Sequence, residues 1–442
     1  MFLLSLFMTA ALAQTLPWQD QEFGCFDQAT AQRYIRDFNV DVSSFGGLEL
    51  CRSQVDTKKL LNDLLIIEKG LFSPQRQNVF IRGFVPADGY YSWMKSQTRG
   101  MNRGNDIPSA TAYNRGGYFT MQDGWAVLST LGRVGTVIHE ARHTAGYRHL
   151  GCSQGPYQGA PVSGCDRDYA YGGSHAVEME YYARVSVQGT NFHPVYKSMA
   201  RLMAIARSNF VFNQPVIQKR EGLLALSATQ GRADLIVDGQ IFPREAPATP
   251  GVLKRTSFGG VLFNGQEALS IELYGSEPLR TSIGDTYSYF KLLLEDPRPV
   301  FDFEEFDIGT KRYVALMRNR TTLQFFDFPR GEWGRALNLN FEVAGLTTRL
   351  ENGQSGFFAI DRSGAIYPIG PERRSVGAAL PVRWSSDIVS IAALNQRVYV
   401  LKTDGVIYES SVTRGYRPQS QNRDRYRGLV NAPVYDGFEV ER

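Results

Sequence analysis

Histidine is sparse in this chain, with five among 442 residues, and cysteine is sparser at four. No two cysteines stand as C-x-x-C, which argues against a thiolate-held metal site. An excess of one charge sign is also missing. With 48 Lys and Arg against 44 Asp and Glu, the formal net charge of +4 is spread thinly over a large surface. It points to neither a nucleic-acid partner nor a membrane-surface one. Past the first residues, no apolar run is long enough to span a bilayer, so no transmembrane segment is expected. What remains is an ordinary globular composition in a chain too long for one hydrophobic core, so two domains are expected.

The N-terminus and the few cysteines point the same way. Residues 1–13, MFLLSLFMTAALA, form an uncharged apolar stretch ending in Ala11-Leu12-Ala13, the small-x-small pattern that a signal peptidase cuts, here before Gln14. The stretch is too short for a transmembrane anchor. It departs from the usual signal in having no Lys or Arg near its start, and no cysteine follows the cut to carry a lipid. Cys25, Cys51, Cys152 and Cys165 make an even set in the first half of the chain, spaced as two local pairs. Disulfides Cys25–Cys51 and Cys152–Cys165 are therefore expected, as in a secreted or periplasmic protein.

Texture changes along the chain. Residues 14–215 read as a helix-rich α+β domain. In VDTKKLLNDLLIIEKG, Leu60, Leu61, Leu64, Leu65 and Ile67 recur at helical spacing, with Asp56 as a candidate cap and Gly70 as the stop. Pro194 opens another helix carrying Met199, Leu202, Met203 and Ile205, where methionine is a core residue rather than a ligand. Residues 118–122 alternate between flanking glycines and read as a strand.

Residues 222–442 read as an all-β domain. RADLIVDGQIFPR (232–244), GFFAIDRSGAIYPIG (356–370) and RVYVLKTDGVIYESS (397–411) share a strand, a polar-Gly turn and a second strand. RYVALMRNRTTLQFFDF (312–328) is a looser copy and ALSIELYGSEPLRTS (268–282) a poor one. A period of roughly forty residues matches a four-stranded blade, so a β-propeller of about five blades is expected, with the terminal VYDGFEVER closing the ring. An irregular sandwich of repeated hairpins is the alternative.

Three of the five histidines fall in HEARHTAGYRH, residues 139–149. Residues 125–145 read as an amphipathic helix, with Asp123 as N-cap and Leu128, Leu131, Val134, Ile138, Ala141 and Ala145 at three- and four-residue intervals. His139 and His143 are then one turn apart on one face, a spacing at which two neutral imidazoles bind one Zn²⁺. Glu140 points to the open side of the metal, where its carboxylate can take a proton from a water whose pKa zinc lowers to about 7. Gly146 can adopt a backbone conformation closed to bulkier residues, end the helix, and turn the chain so that His149 becomes the third ligand.

The complete string fits H-E-x-x-H-x-x-G-x-x-H and resembles the metzincin clan of zinc metallopeptidases. The match spans only residues 139–149, yet it fixes five residue identities. The resemblance implies a zincin-like domain in which His139, His143 and His149 hold zinc and Glu140 is the general base. It also implies that strand 118–122 is the cleft edge along which an extended peptide pairs. Metzincins place a methionine turn beneath the metal, and Met179-Glu180-Tyr181 offers one, with Tyr181 as an oxyanion stabiliser. Residues 174–185 read equally well as a helix capped by Ser174, with Ala176, Met179 and Ala183 facing inward. The same stretch holds the rival third ligands His175 and Glu178, a glutamate from a following helix being the gluzincin-like solution. The loop between Cys152 and Cys165 is expected beside the site, where it restricts entry, and Tyr169 and Tyr171 either line a pocket or pack.

These features predict an exported zinc metallopeptidase that cleaves a peptide or protein substrate by zinc-activated water, with a propeller that recognises a protein or glycan. Two alternatives stand beside it. One is a secreted binding protein whose propeller is the working part and whose zinc domain is inactive. The other is a hydrolase of a different amide, such as that of a cell-wall peptide.

Overall fold

Helices occupy the first half of the chain and antiparallel strands the second. The computed structural model describes residues 14–435 other than 108–109, 156, 161–162, 215, 217–218, 249, 257–258, 264–267, 272–299, 309–310, 328–331, 352–353, 372–373, 381–384, 386, 395–396, 412–414 and 419–423. The expected signal peptide 1–13, the later part of hairpin 268–282 and residues 436–442 lie outside the described residues.

The first half contains α1 (Gln28–Phe38), α2 (Asp56–Lys69), α3 (Tyr90–Gln97), β1 (Gly100–Arg103), β2 (Ala112–Arg115), β3 (Tyr118–Met121), α4 (Asp123–Ala126), α5 (Thr130–His143), α6 (Ser174–Val187) and α7 (Pro194–Phe210). The apolar spacing of α2 buries Leu60, Leu61, Leu64 and Ile67 against α5, with Leu65 half-buried. Asp56 is the first residue of α2 and not its cap. Its carboxylate is taken by Arg103 at 3.0 Å and Lys59 at 3.1 Å.

The expected helix over residues 125–145 is in fact two. α4 ends at Ala126, and α5 starts anew at Thr130, where Ser129 Oγ accepts from the Gly132 amide at 3.2 Å. Asp123, the expected cap, is instead the first residue of α4 and pairs with Arg103 at 2.7 Å.

The three short strands lie in the order β1-β3-β2, with β1 parallel and β2 antiparallel to β3. Strand 118–122 is therefore the centre of its sheet and not an edge, which corrects the expectation drawn from the sequence. Gly116 and Gly117, both at positive φ, fold β2 back on β3, so β2 takes the edge beside α5. Asn114 of β2 fixes that edge to the helix, donating to the Glu140 carbonyl at 2.5 Å and to Thr144 Oγ1 at 2.8 Å.

Among the described residues of the second half, the strands form five antiparallel sheets. In the first, Lys219–Ser227, Arg232–Val237 and Gln240–Glu245 are joined by Tyr426–Tyr435. The second holds Val252–Thr256, Gly259–Phe263 and Ala268–Ser270, and the third Asp302–Ile308, Lys311–Asn319, Thr322–Asp327 and Glu332–Trp333, with Leu337–Asn338 also paired to Thr322–Asp327. Val343–Glu351, Gln354–Asp361, Ile366–Gly370 and Ser375–Val376 form the fourth; Ile388–Leu394, Arg397–Lys402, Ile407–Ser411 and Gly415–Pro418 form the fifth. The leading strands of the second to fifth sheets lie one against the next, and Tyr426–Tyr435 packs on both the second and the fifth. That closes a propeller-like ring. Val434 and Tyr435 of the expected closing segment lie in the strand Tyr426–Tyr435, and the rest of that segment falls outside the described residues.

The repeated hairpins of the sequence are the middle hairpins of the third, fourth and fifth sheets and the outer hairpin of the first. The helical core continues into the ring through Val261, Phe263, Phe303 and Leu316. Both expected disulfides, Cys25–Cys51 and Cys152–Cys165, are formed, as suits an extracellular or periplasmic protein. Among the described residues no helix is long and apolar enough to cross a membrane.

Candidate metal centre

His139 and His143 occupy the last turn of α5, and Gly146 at φ 90° turns the chain back so that His149 meets them. The three rings converge on their Nε2 atoms. His139 Nε2 lies 3.0 Å from that of His149 and 3.2 Å from that of His143.

The opposite nitrogen of each ring faces an acceptor. His139 Nδ1 stands 3.4 Å from Glu178 Oε2, and His149 Nδ1 3.2 Å from Asp166 Oδ1. His143 Nδ1 donates to the Tyr147 carbonyl and lies 3.0 Å from Ser174 Oγ. Protons held at Nδ1 leave all three Nε2 lone pairs pointing at one another, an arrangement suited to a shared metal ion. Burial and the neighbouring imidazoles keep the rings neutral: His139 is held well below the ordinary histidine value, His143 is pushed down to about 4, and His149 is lowered.

Two buried carboxylates stand behind the histidines. Burial alone would raise Glu178. Arg207, at 2.8 Å, and the hydrogen bonds from His139 and His175 outweigh it and hold the carboxyl well below the usual range. Tyr182 Oη donates to the same carboxylate at 3.0 Å. Asp166 is likewise raised by burial but brought down to about 2 by His149 and His175. Both stay ionised and act as acceptors. Glu140 differs: burial first, then the Glu178 charge, push it up to about 8, and its Oε2 has no hydrogen-bond partner among the described residues.

His139, His175 and Glu178 form a second group with ligand atoms within 4.8 Å of one another. There, however, Glu178 accepts from His139 Nδ1 and from His175 Nδ1, and His175 Nε2 faces the Gly164 carbonyl at 3.1 Å. His175 stacks on His149 with centroids 4.7 Å apart. The two rival ligands thus sit one layer behind the trio and orient it.

The expected methionine turn is a helix. α6 runs unbroken from Ser174, with Asp166 Oδ2 accepting from the His175 amide at 2.9 Å, so Met179 is a buried core residue. Tyr181 is fully buried edge-on to Tyr90 and Phe72, with centroids at 5.0 and 6.0 Å, and lies in the aromatic core, which removes it as oxyanion stabiliser. Tyr169 packs among Phe80, Phe84 and Phe212, while Tyr171 is exposed against Tyr147 and Arg167.

Sequence reasoning missed Asp166, Ser174, Arg207, Tyr182 and Gly135. Only Tyr182 left a signal, one turn after Glu178 on α6. Gly135 permits the approach of α6 to α5: a Cβ there would stand 1.8 Å from Tyr182 Oη. Gly135→Ala is expected to destabilise the helical half by about 1–3 kcal/mol. By moving Tyr182 off Glu178 it should also lower the affinity of the candidate site for a metal ion by about tenfold. Thermal unfolding and a chelator competition measure the two effects. An unchanged affinity would dissociate Tyr182 from the site.

The lowered histidines set a second expectation. Only the neutral ring is a ligand, and a ring with a depressed pKa needs a lower pH to be protonated. The affinity of the candidate site for a metal ion should therefore stay nearly flat from about pH 8 to about pH 5.5 and fall only as pH approaches about 4. Titrations across that range check it; a steep loss through about 6.5 would mean ordinary imidazoles.

No protein-family model matches the chain, and no curated protein is similar to it in sequence. Among solved structures, it overlaps BBS1N in complex with ARL6DN at 12% identity over 46% of this chain and 64% of that one, with a TM-score of 0.25. AztD from Citrobacter koseri overlaps at 12% identity over 51% of this chain and 64% of that one, TM-score 0.23. For the Neurospora crassa Pan2 WD40 domain the values are 10%, 45%, 65% and 0.24. The chain spans less than two thirds of each of these neighbours. Likeness at this level carries no functional weight, and the ring of sheets rests on its own strand pairing.

Proposed function

We propose that this chain is an exported zinc-dependent metallopeptidase, with a zincin-like site in residues 14–215 and a five-bladed propeller in residues 222–442 that recognises a protein or glycan. The observation that carries the reading is the convergence of three Nε2 atoms, with Glu140, the residue after His139, carrying a buried carboxyl oxygen that has no hydrogen-bond partner among the described residues. That donor set fits zinc, since His139, His143 and His149 make a three-nitrogen site whose Nδ1 atoms are already fixed.

When bound, zinc supplies Lewis acidity and brings the pKa of water to about 7. The protein does the rest. Glu178 and Asp166 hold the tautomers of His139 and His149. Glu140 Oε2 takes a proton from the attacking water and returns it to the leaving amine. The outer edge of β2, unpaired among the described residues and tied to α5 through Asn114, offers its backbone to an extended substrate.

A binding role for the ring gains support from a central cavity of about 1060 Å³, walled by residues of all five sheets that include Leu253, Asp302, Thr347, Ser390 and Asn431. Metal analysis with digestion of a mixed peptide library separates the readings. Stoichiometric zinc with cleavage that depends on Glu140 supports the peptidase. Zinc without cleavage of any peptide, protein or cell-wall fragment supports the binding protein.

A further inference from the structure

We infer that Asp166 and the Cys152–Cys165 disulfide are positioning groups for the third ligand, so that this chain holds zinc tightly only once that disulfide has closed. The inference rests on the zinc site proposed above and adds the condition under which it is complete. His139 and His143 are placed by α5 itself. His149 lies beyond the helix, and its position depends on whatever holds the loop that bears it.

Two fastenings converge there. Leu150, next to His149, exchanges both backbone hydrogen bonds with Cys165, at 2.7 and 3.0 Å. The disulfide from Cys152 to Cys165 ties the same two segments covalently, two residues past Leu150. Asp166 follows Cys165 and uses both carboxylate oxygens. Oδ1 receives His149 Nδ1 at 3.2 Å, while Oδ2 receives the amides of His175 at 2.9 Å and Ala176 at 3.3 Å. Its backbone is anchored to Val211 and Asn213 beyond α7.

The ligand is thus held by a carboxylate, the carboxylate by α6, and the loop that carries both by the disulfide. Cys25–Cys51 joins the segments ahead of α1 and α2 and touches none of this. In the reduced chain, with two electrons and two protons supplied by a dithiol, Cys152 and Cys165 are thiols and His149 loses its covalent tie. His139 and His143 then remain as a weaker two-nitrogen site.

The test uses the full chain with Cys152→Ser/Cys165→Ser, Asp166→Asn, and Cys25→Ser/Cys51→Ser as the control. Zinc affinity is read by competition with a chromophoric chelator, and ligand number by the visible absorption of the Co²⁺ form. The first two variants are expected to bind zinc about 10–100-fold more weakly, with an altered cobalt spectrum, and the control to match wild type in both. Asn at 166 keeps an oxygen for the α6 amides but presents a donor to His149. That moves the ring proton to Nε2 and removes the ligand lone pair. Should the Cys152/Cys165 variant fail to fold, Asp166→Asn decides. Wild-type affinity and spectrum in a folded Cys152/Cys165 variant, or in Asp166→Asn, overturn the inference. Zinc bound as expected with no peptide cleaved would overturn only the peptidase reading, and a wild-type chain that binds no zinc would overturn both.

Discussion

On the proposed peptidase reading, Glu140→Gln is expected to lower peptide turnover by about 10²–10⁴-fold while zinc binding stays stoichiometric. The substitution keeps the size and shape of a side chain that is 4% exposed, so packing is little disturbed. It removes the proton acceptor and nothing else. Without a metal, burial and the charge of Glu178 push Glu140 up to about 8, which makes it a carboxyl that gives and takes a proton near neutrality. A dication nearby favours the ionised form and moves that value down. A base must be ionised to work, so kcat/KM should rise with pH along an acid limb that belongs to Glu140 and lies below about 8. The limb should vanish in Glu140→Gln. A variant that cuts at the wild-type rate with zinc bound would remove Glu140 from the chemistry.

Local pattern made part of this site legible. The four-residue interval of His139 and His143 is a property of any helix, and Gly146 announces its own left-handed turn. The hairpins of the ring were readable for the same reason, since Asp238-Gly239 and Gly405 take positive φ where two-residue and polar-Gly turns require it. What stayed hidden depends on pairing across the fold. Strand 118–122 has the alternation of a strand whether it lies at the centre of a sheet or at its edge, and only the glycine hairpin to β2 makes it central. Likewise, a closing C-terminal strand was readable, but its pairing with Lys219–Ser227, far back in the chain, was not.

The orienting carboxylates were hidden in a more instructive way. Glu178 was legible as chemistry, a carboxylate on the helix after the motif, but not as position. It stands behind His139 rather than beside it because Arg207 and Tyr182 hold it there. Asp166 gave no sign, since its partner His149 is reached only through the disulfide-closed loop. The same carboxylate caps α6, which is one reason that stretch is a helix with Met179 in the core instead of a methionine turn.

Arg133→Met is expected to cost the helical half about 3–5 kcal/mol, because it leaves a buried carboxylate uncompensated. Arg133 is 2% exposed in α5, upstream of the histidines. It donates to Asp63 Oδ2 at 3.1 Å and Oδ1 at 3.0 Å, to Asp20 Oδ1 at 2.8 Å, and to the Leu128 carbonyl at 2.9 Å. Asp20 is near enough to the surface to find water, whereas Asp63 is fully buried. Burial pushes the Asp63 carboxyl well above its ordinary value, and Arg133 is the counterweight. In the variant that counterweight is gone, so the folded state needs Asp63 protonated. A raised folded pKa means that stability is retained below the unfolded value and lost as pH rises through the window above it. The penalty should therefore be smallest at acid pH, where Asp63 is protonated in both chains, and grow only above the raised value at which Asp63 of the wild type ionises. Arg133→Met combined with Asp63→Leu removes both charges and should recover most of the loss. Urea titrations followed at the helical circular-dichroism band read the right half of the molecule, because every helix described lies before residue 215. A single variant that unfolds at the wild-type midpoint at neutral pH would show that α5, and with it His139 and His143, is not anchored through Arg133.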